Sequence, residues 1–231
     1  MSGWLSVDTV LFTVFGYPMS GIEFVGTVLY LLSVWLISRR NVLTWPVGIV
    51  SVLLYLALFW QIRLYSDAME QVYYLAASVY GWWLWTRSPR ERGAITDVDF
   101  SPRRRILVWI GVTGVLSAVL GAVMSRVHVW APAVFPEPAS YPYLDALTTV
   151  MSLVAMWLMA RKHTESWVYW LVVDVIGIWL YFVKDVKFIS LLYVILLVMA
   201  VRGLLDWRRT ARRQSAPSAA PSDSADGAAV R

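Results

Sequence analysis

The sequence predicts an all-α membrane protein of seven transmembrane helices, with two parallel three-helix repeats joined by a single linking helix. Composition is the first ground. Of 231 residues, 59% are hydrophobic and 15% charged, and the mean hydropathy is +0.60, whereas soluble domains carry about 25% charged residues. The second ground is segmentation into apolar runs of about 17–20 residues, enough for a helix to cross a bilayer. Internal repetition is the third. The first hydrophobic third recurs near the end of the chain, shifted by 122 positions without a gap. Glu23 pairs with Asp145, Thr27 with Thr149, Trp35 with Trp157, Arg39-Arg40 with Arg161-Lys162, Trp45 with Trp167, Gly81 with Gly203 and Trp85 with Trp207. A duplicated apolar unit of this kind marks a transporter built from internal repeats.

Residues 1–20 read as a short amphipathic N-terminal lead-in that cannot span, and they lack the basic start and small-residue cleavage site of a signal peptide. The first three-helix repeat, 21–86, holds spans at about 21–38, 45–62 and 70–86. Residues 87–143 form a linker around span four, at about 106–124, whose Gly111, Gly114 and Gly121 suit close helix packing. The stretch after it carries Pro132, Pro136, Pro138 and Pro142 and reads as an irregular extracellular loop. The second repeat, 144–207, holds spans at about 145–160, 167–183 and 188–206. Trp45, Trp82, Trp85, Trp167 and Trp207 fall at span ends, where an interfacial aromatic belt is expected. Residues 208–231 form a cytoplasmic tail, which turns to Ala, Ser, Pro and Asp from about Gln214 and should be disordered.

Lys and Arg set the orientation. About fifteen follow the odd-numbered spans and about four lie on the other side, which places the N-terminus outside and the C-terminus in the cytoplasm. Arg202 lies inside span seven near its basic end and can snorkel. Parity explains span four. Three spans are an odd number, so a second triplet joined directly would be inverted. Both triplets nevertheless carry a basic turn after their first helix, and one extra crossing keeps them parallel.

Composition also removes whole classes of chemistry. Cysteine is absent, so there are no disulfides and no thiolate ligands. The two His, His128 and His163, fall in connections, which leaves a metal-dependent intramembrane enzyme without ligands. No cofactor is implied. Lys162, Lys184 and Lys187 sit at helix ends, so a retinal Schiff base has no lysine. The basic residues lie between apolar runs, which argues against nucleic acid despite a net charge of +5.

Polar residues inside the spans are the candidates that remain. Asp174 lies in the middle of span six, where an acid costs about 2.5–3.5 kcal/mol on insertion scales and so faces a cavity or a partner. It reads as a counter-charge for a cationic or hydroxylated substrate, or as a structural hydrogen-bonding group. Gln71 opens span three, and its counterpart 122 positions on is Tyr193; the two face a shared axis or cap helix starts. Tyr55, Tyr74, Trp170, Trp179 and Tyr181 fall within spans, where they stack a flat heteroaromatic ring or simply pack. The expected site lies near the midplane, with Ser51, Tyr55, Gln71 and Tyr74 from one half and Trp170, Asp174, Tyr181 and Tyr193 from the other.

Particular strings then resemble a known family. Trp45-Pro46-Val47-Gly48 opens span two, followed by Leu64-Tyr65, Asp67, Gln71 and Tyr74, and by Tyr80-Gly81-Trp82-Trp83-Leu84-Trp85. Asp145, Ser152, Arg161-Lys162, Glu165, Trp167, Trp170 and Asp174 follow in order. These resemble the PnuC family of nicotinamide riboside transporters from about residue 20 to 208, sparing span four and the tail. The resemblance implies a SWEET-like 3+1+3 fold in the cell (inner) membrane, with substrate between the triplets. It implies facilitated diffusion, trapping of the substrate by a separate intracellular kinase, and a homo-oligomer, since family members can be trimeric. Some members have Asn in the middle of spans two and six, where this chain has Ser51 and Asp174. The expected small-molecule substrate is nicotinamide riboside, with thiamine or riboflavin as the alternatives. A membrane receptor or assembly subunit that does not transport is the reading from a different class.

Overall fold

The computed structural model describes residues 3, 6–14, 16–132 and 137–215. Its helices follow the apolar runs: α1 (Gly21–Ser38), α2 (Thr44–Gln61), α3 (Tyr65–Thr86), α4 (Arg103–Met124), the one-turn α5 (Val127–Trp130), α6 (Pro142–Ala160), α7 (Ser166–Val183) and α8 (Lys187–Ser215). Six of them (α1, α2, α4, α6, α7 and α8) are long and apolar enough to cross a membrane. At 22 residues α3 matches α4 in length, but Asp67, Glu70, Gln71 and its tyrosines make it more polar.

The expected lead-in takes a definite shape. Strand β1 (Val10–Val14) pairs antiparallel with β2 (Tyr17–Ser20), with Gly16 at φ +82° just before β2. Val-Leu-Phe-Thr-Val is rich in β-branched and aromatic residues, which favour a strand. Ser20 then caps α1, its hydroxyl accepting the Glu23 N–H at 3.4 Å. At the other end, residues 208–215 are helical rather than the start of a disordered tail. Arginine is a good helix former, and Arg208, Arg209, Arg212 and Arg213 oppose the negative end of the α8 dipole. Residues 216–231 lie outside those described.

Four helix-to-helix turns share one design. The second residue past each helix is left-handed: Arg40 (φ 59°), Arg63 (60°), Lys162 (67°) and Asp185 (59°). The next N–H reaches back five residues, from Asn41 to Leu36 O, Leu64 to Phe59 O, His163 to Leu158 O and Val186 to Tyr181 O, at 2.9–3.0 Å. These bonds satisfy carbonyls that a helix end leaves open. Arg40 and Lys162 are 122 positions apart, as are Arg63 and Asp185.

The helices pack in the cyclic order α1, α2, α3, α6, α7, α8 and back to α1, with α4 outside against α6. This ring has two seams between its halves, α3 on α6 and α8 on α1. Trp45, Trp85, Trp167 and Trp207 close its basic end as a core cluster, each no more than 2% exposed. They do not form the interfacial belt that their positions suggested; of the five, only Trp82 is exposed. The reason is a matched glycine in each half. Trp45 lies on Gly81 and Trp167 on Gly203, so close that a Cβ would sit 2.4–2.5 Å from the ring. Trp85 then reaches across one seam to donate to Ala160 O at 3.0 Å, and Trp207 crosses the other to donate to Ile37 O at 3.1 Å.

The linker runs over this same end. Its short hairpin, β3 (Arg90–Glu91) and β4 (Ala94–Ile95), bonds Ile95 N–H to Arg40 O at 3.0 Å, and four residues past β4 Asp99 N–H bonds Lys162 O at 3.2 Å. Ile95 and Val98, both fully buried, pack into the Trp cluster. Lys162 pairs with Asp97, and Arg40 with Asp206 at 2.9 Å. Against α6, helix α4 buries Thr113, Ser117 and Gly121, spaced four apart. Gly121 lies under the Tyr143 ring, but nothing approaches Gly111 or Gly114 within 4 Å. Only one of the three glycines expected to pack does so.

Candidate functional site

Asp174 is the ninth residue of the 18-residue α7 and is 4% exposed. Among the described residues no group donates a hydrogen bond to it and no cation pairs with it. The groups within electrostatic reach are phenols, Tyr30 from α1 and Tyr193 from α8. Tyr30 also lies within reach of Tyr55 and Glu70.

Neighbouring helices extend this polar interior. On α3 the Tyr74 hydroxyl donates to Glu70 Oε1 at 2.7 Å, with Ser152 of α6 close to the same hydroxyl. Between α1 and α2, the Thr27 and Tyr55 hydroxyls are 2.7 Å apart. Tyr193 stacks on Tyr181, centroids 5.5 Å apart and planes at 19°. It can do so because α7 has Gly177 there: a Cβ would meet the Tyr193 ring at 2.5 Å. All six ring helices thus contribute polar side chains to the interior.

Of the eight expected site residues, Tyr55, Tyr74, Asp174, Tyr181 and Tyr193 come together here. Gln71 is half-buried on the α3 face that carries Glu70 and Tyr74. Ser51 is turned to another task, donating to Gly26 O at 2.8 Å and tying α2 to α1. Trp170 packs between the two apolar clusters of the bundle. Tyr30 and Glu70 are polar interior residues that the sequence did not single out, and Ser152 figured there only among the residues of the family resemblance. A signal for them existed. Tyr30 and Ser152 are a matched pair 122 apart, and Asp67, Glu70, Gln71 and Tyr74 recur at helical spacing on one face.

The interior is acidic. Tyr181 lies within reach of Asp67, Asp145 and Glu70, and Tyr55 of Glu23. At the end away from the Trp cluster, Tyr17 donates to Glu23 Oε1 at 2.7 Å. Burial, with that carboxylate beside it, pushes the Tyr17 phenol well above its ordinary range. The Lys, Arg and His of the described residues sit at ends of the long helices or in connections, save Arg202 on the outside of α8. Chemically, this arrangement suits a ligand that is cationic or neutral, flat enough to stack on tyrosine, and rich in hydroxyls.

Over residues 20–209 the chain matches the family described as nicotinamide mononucleotide transporter. It is 33% identical over 214 residues to the nicotinamide riboside transporter PnuC of Escherichia coli, covering 86% of this chain and 90% of that one. To the riboflavin/roseoflavin transporter RibM of Streptomyces davaonensis it is 30% identical over 220 residues, covering 93% and 96%. A crystal structure of the vitamin B3 transporter PnuC is similar in fold, with a TM-score of 0.64 at 23% identity over 83% of this chain and 82% of that one.

Proposed function

The chain belongs to the nicotinamide mononucleotide transporter family, and we propose that it carries nicotinamide riboside across the cell membrane by facilitated diffusion. The observation that carries the choice of substrate is Asp174, a buried carboxylate at mid-helix with no hydrogen-bond or ion-pair partner among the described residues. Nicotinamide riboside brings a pyridinium cation to balance it, a ring that stacks on Tyr181 or Tyr193, and ribose hydroxyls for Glu70 and Tyr74. The same field disfavours a mononucleotide. A phosphate entering beside Glu70 and Asp174, neither of which pairs with a Lys or Arg among the described residues, would be buried beside like charges at a cost of several kcal/mol.

In this reading α3 is the seventh span, because its polar face lines the interior and only its outer face meets lipid. Residues 21–86 and 144–207 are the two moving units, held parallel by the linker and α4. The N-terminus is outside and the basic end cytoplasmic. Each half rocks against the other, and the Trp85 and Trp207 bonds across the seams hold the cytoplasmic end shut in the form described. A kinase inside traps the substrate, and the carrier works as a homo-oligomer.

RibM supports a second reading, a neutral flavin. Uptake of labelled nicotinamide riboside into proteoliposomes, with unlabelled competitors, separates the possibilities. We expect competition by nicotinamide riboside and little by its mononucleotide. Stronger competition by riboflavin or thiamine would reassign the substrate, and binding without flux would make the protein a receptor.

A further inference from the structure

We propose that the groove between α1 and α8, on the outside of the bundle at its basic end, binds the phosphate headgroup of an anionic membrane lipid. The groove is a cavity of about 460 Å³ lined by Trp35, Ser38, Arg39 and Arg40 of the first half and by Met199, Arg202 and Asp206 of the second. Three arginines face one carboxylate, and that carboxylate is taken: Asp206 Oδ2 accepts from Arg40 Nε at 2.9 Å. Arg39 stacks on Trp35 at 4.3 Å and meets no carboxylate among the described residues, and neither does Arg202. Two unbalanced guanidinium groups therefore share one groove, and guanidinium is the side chain best matched to phosphate oxygens.

The other seam shows what this groove lacks. Positions 122 apart correspond, so Trp157 stands where Trp35 does and Tyr80 where Arg202 does. There Tyr80 stacks flat on Trp157, centroids 5.4 Å apart and planes at 10°. One seam is closed by two rings. In the other an arginine replaces the tyrosine and the cavity stays open. This asymmetry is a property of the α8–α1 seam alone, and Arg202 creates it.

A lipid fits better than free phosphate because the groove has an apolar continuation. Leu32 lies one turn before Trp35, and Val198 one turn before Arg202, and both are exposed on the outside of the bundle. An acyl chain can lie along them while the headgroup sits between Arg39 and Arg202. Basic pockets between membrane helices at this level are suited to anionic headgroups. Such a lipid would bridge the two halves at their one open seam.

The test is native mass spectrometry of the purified full chain titrated with phosphatidylglycerol, phosphatidylcholine or inorganic phosphate, with thermal unfolding measured in parallel. We expect phosphatidylglycerol to bind and to raise Tm, with phosphatidylcholine and inorganic phosphate giving little of either. Arg202→Gln and Arg39→Gln should each weaken phosphatidylglycerol binding about fivefold. Arg202→Lys should lose less, and Arg104→Gln, at the exposed start of α4, should bind like the parent. If Arg202→Gln fails to fold, Arg39→Gln carries the comparison. Equal binding of the two lipids, or full retention by both Gln variants, overturns the site. Saturation by inorganic phosphate alone overturns the lipid as its source.

Discussion

Asp174 is the residue where the chemistry is most exposed to test. Asp174→Asn keeps shape and volume and removes the charge. If the carboxylate balances a cationic ring, affinity for nicotinamide riboside should fall by about 1–3 kcal/mol, the scale of a charge-assisted hydrogen bond. Binding of a neutral flavin should not fall. Calorimetric titration of both ligands on one preparation decides it, and an unchanged affinity for nicotinamide riboside returns Asp174 to a structural role. Ser51 offers the contrasting case. Its hydroxyl is bonded to Gly26 O, so Ser51→Ala should act through α1–α2 packing, lowering Tm by an amount consistent with roughly 1 kcal/mol. The two residues looked alike in the sequence, each a polar group in an apolar span. A lone acid in a span is legible because its cost is large. A serine is not, because its hydroxyl can be absorbed by a helix carbonyl close by.

Elements are positioned by two Trp–Gly contacts that the repeat carries in duplicate. Gly81→Ala and Gly203→Ala would each push a methyl into a buried indole, and overpacking of this kind costs about 1–3 kcal/mol. Both should lower Tm by similar amounts, since Trp45 and Trp167 hold equivalent places. Gly111→Ala on α4, with nothing within 4 Å of the new Cβ, should be neutral or stabilising by up to about 1 kcal/mol. Thermal unfolding in detergent compares the three; a Gly203→Ala protein as stable as the parent would remove the contact from the account. Helix positions were readable from apolar run length. Which face each helix buries was not. A tryptophan at a span end is equally at home in the headgroup layer and in the core, and span-end position alone cannot separate the two. Glycines matched at the same offset were the discriminating feature, since a headgroup tryptophan needs no glycine beneath it.

At the scale of the whole molecule, most of the Lys and Arg lie at one end of the bundle, where Asp97 and Asp206 pair with only two of them, while Glu70 and Asp174 lie within it. Cysteines introduced at Glu91 and Ser140 in this Cys-free chain should label oppositely with an impermeant thiol reagent on intact cells, position 140 reacting and position 91 protected. The same distribution bears on energetics. In the proposed reading Asp174 balances one substrate cation, and no group of three or more acidic or His side chains that could hold a metal ion occurs among the described residues. If the carrier is a uniporter, as proposed, it concentrates a cationic substrate through the membrane potential alone. One charge crossing 100 mV is worth about 2.3 kcal/mol, which corresponds to roughly 50-fold accumulation at equilibrium. Proteoliposomes held inside-negative with potassium and valinomycin, without a sodium or proton gradient, should therefore accumulate nicotinamide riboside and release the excess when the potential is collapsed. Riboflavin, being neutral, would only equilibrate under the same potential, so the voltage response also distinguishes the two substrates. Accumulation that instead requires a sodium or proton gradient at zero potential would mean that a carboxylate of the bundle serves a coupling ion, and Glu70, bonded to Tyr74 beside the site, would be the first to substitute.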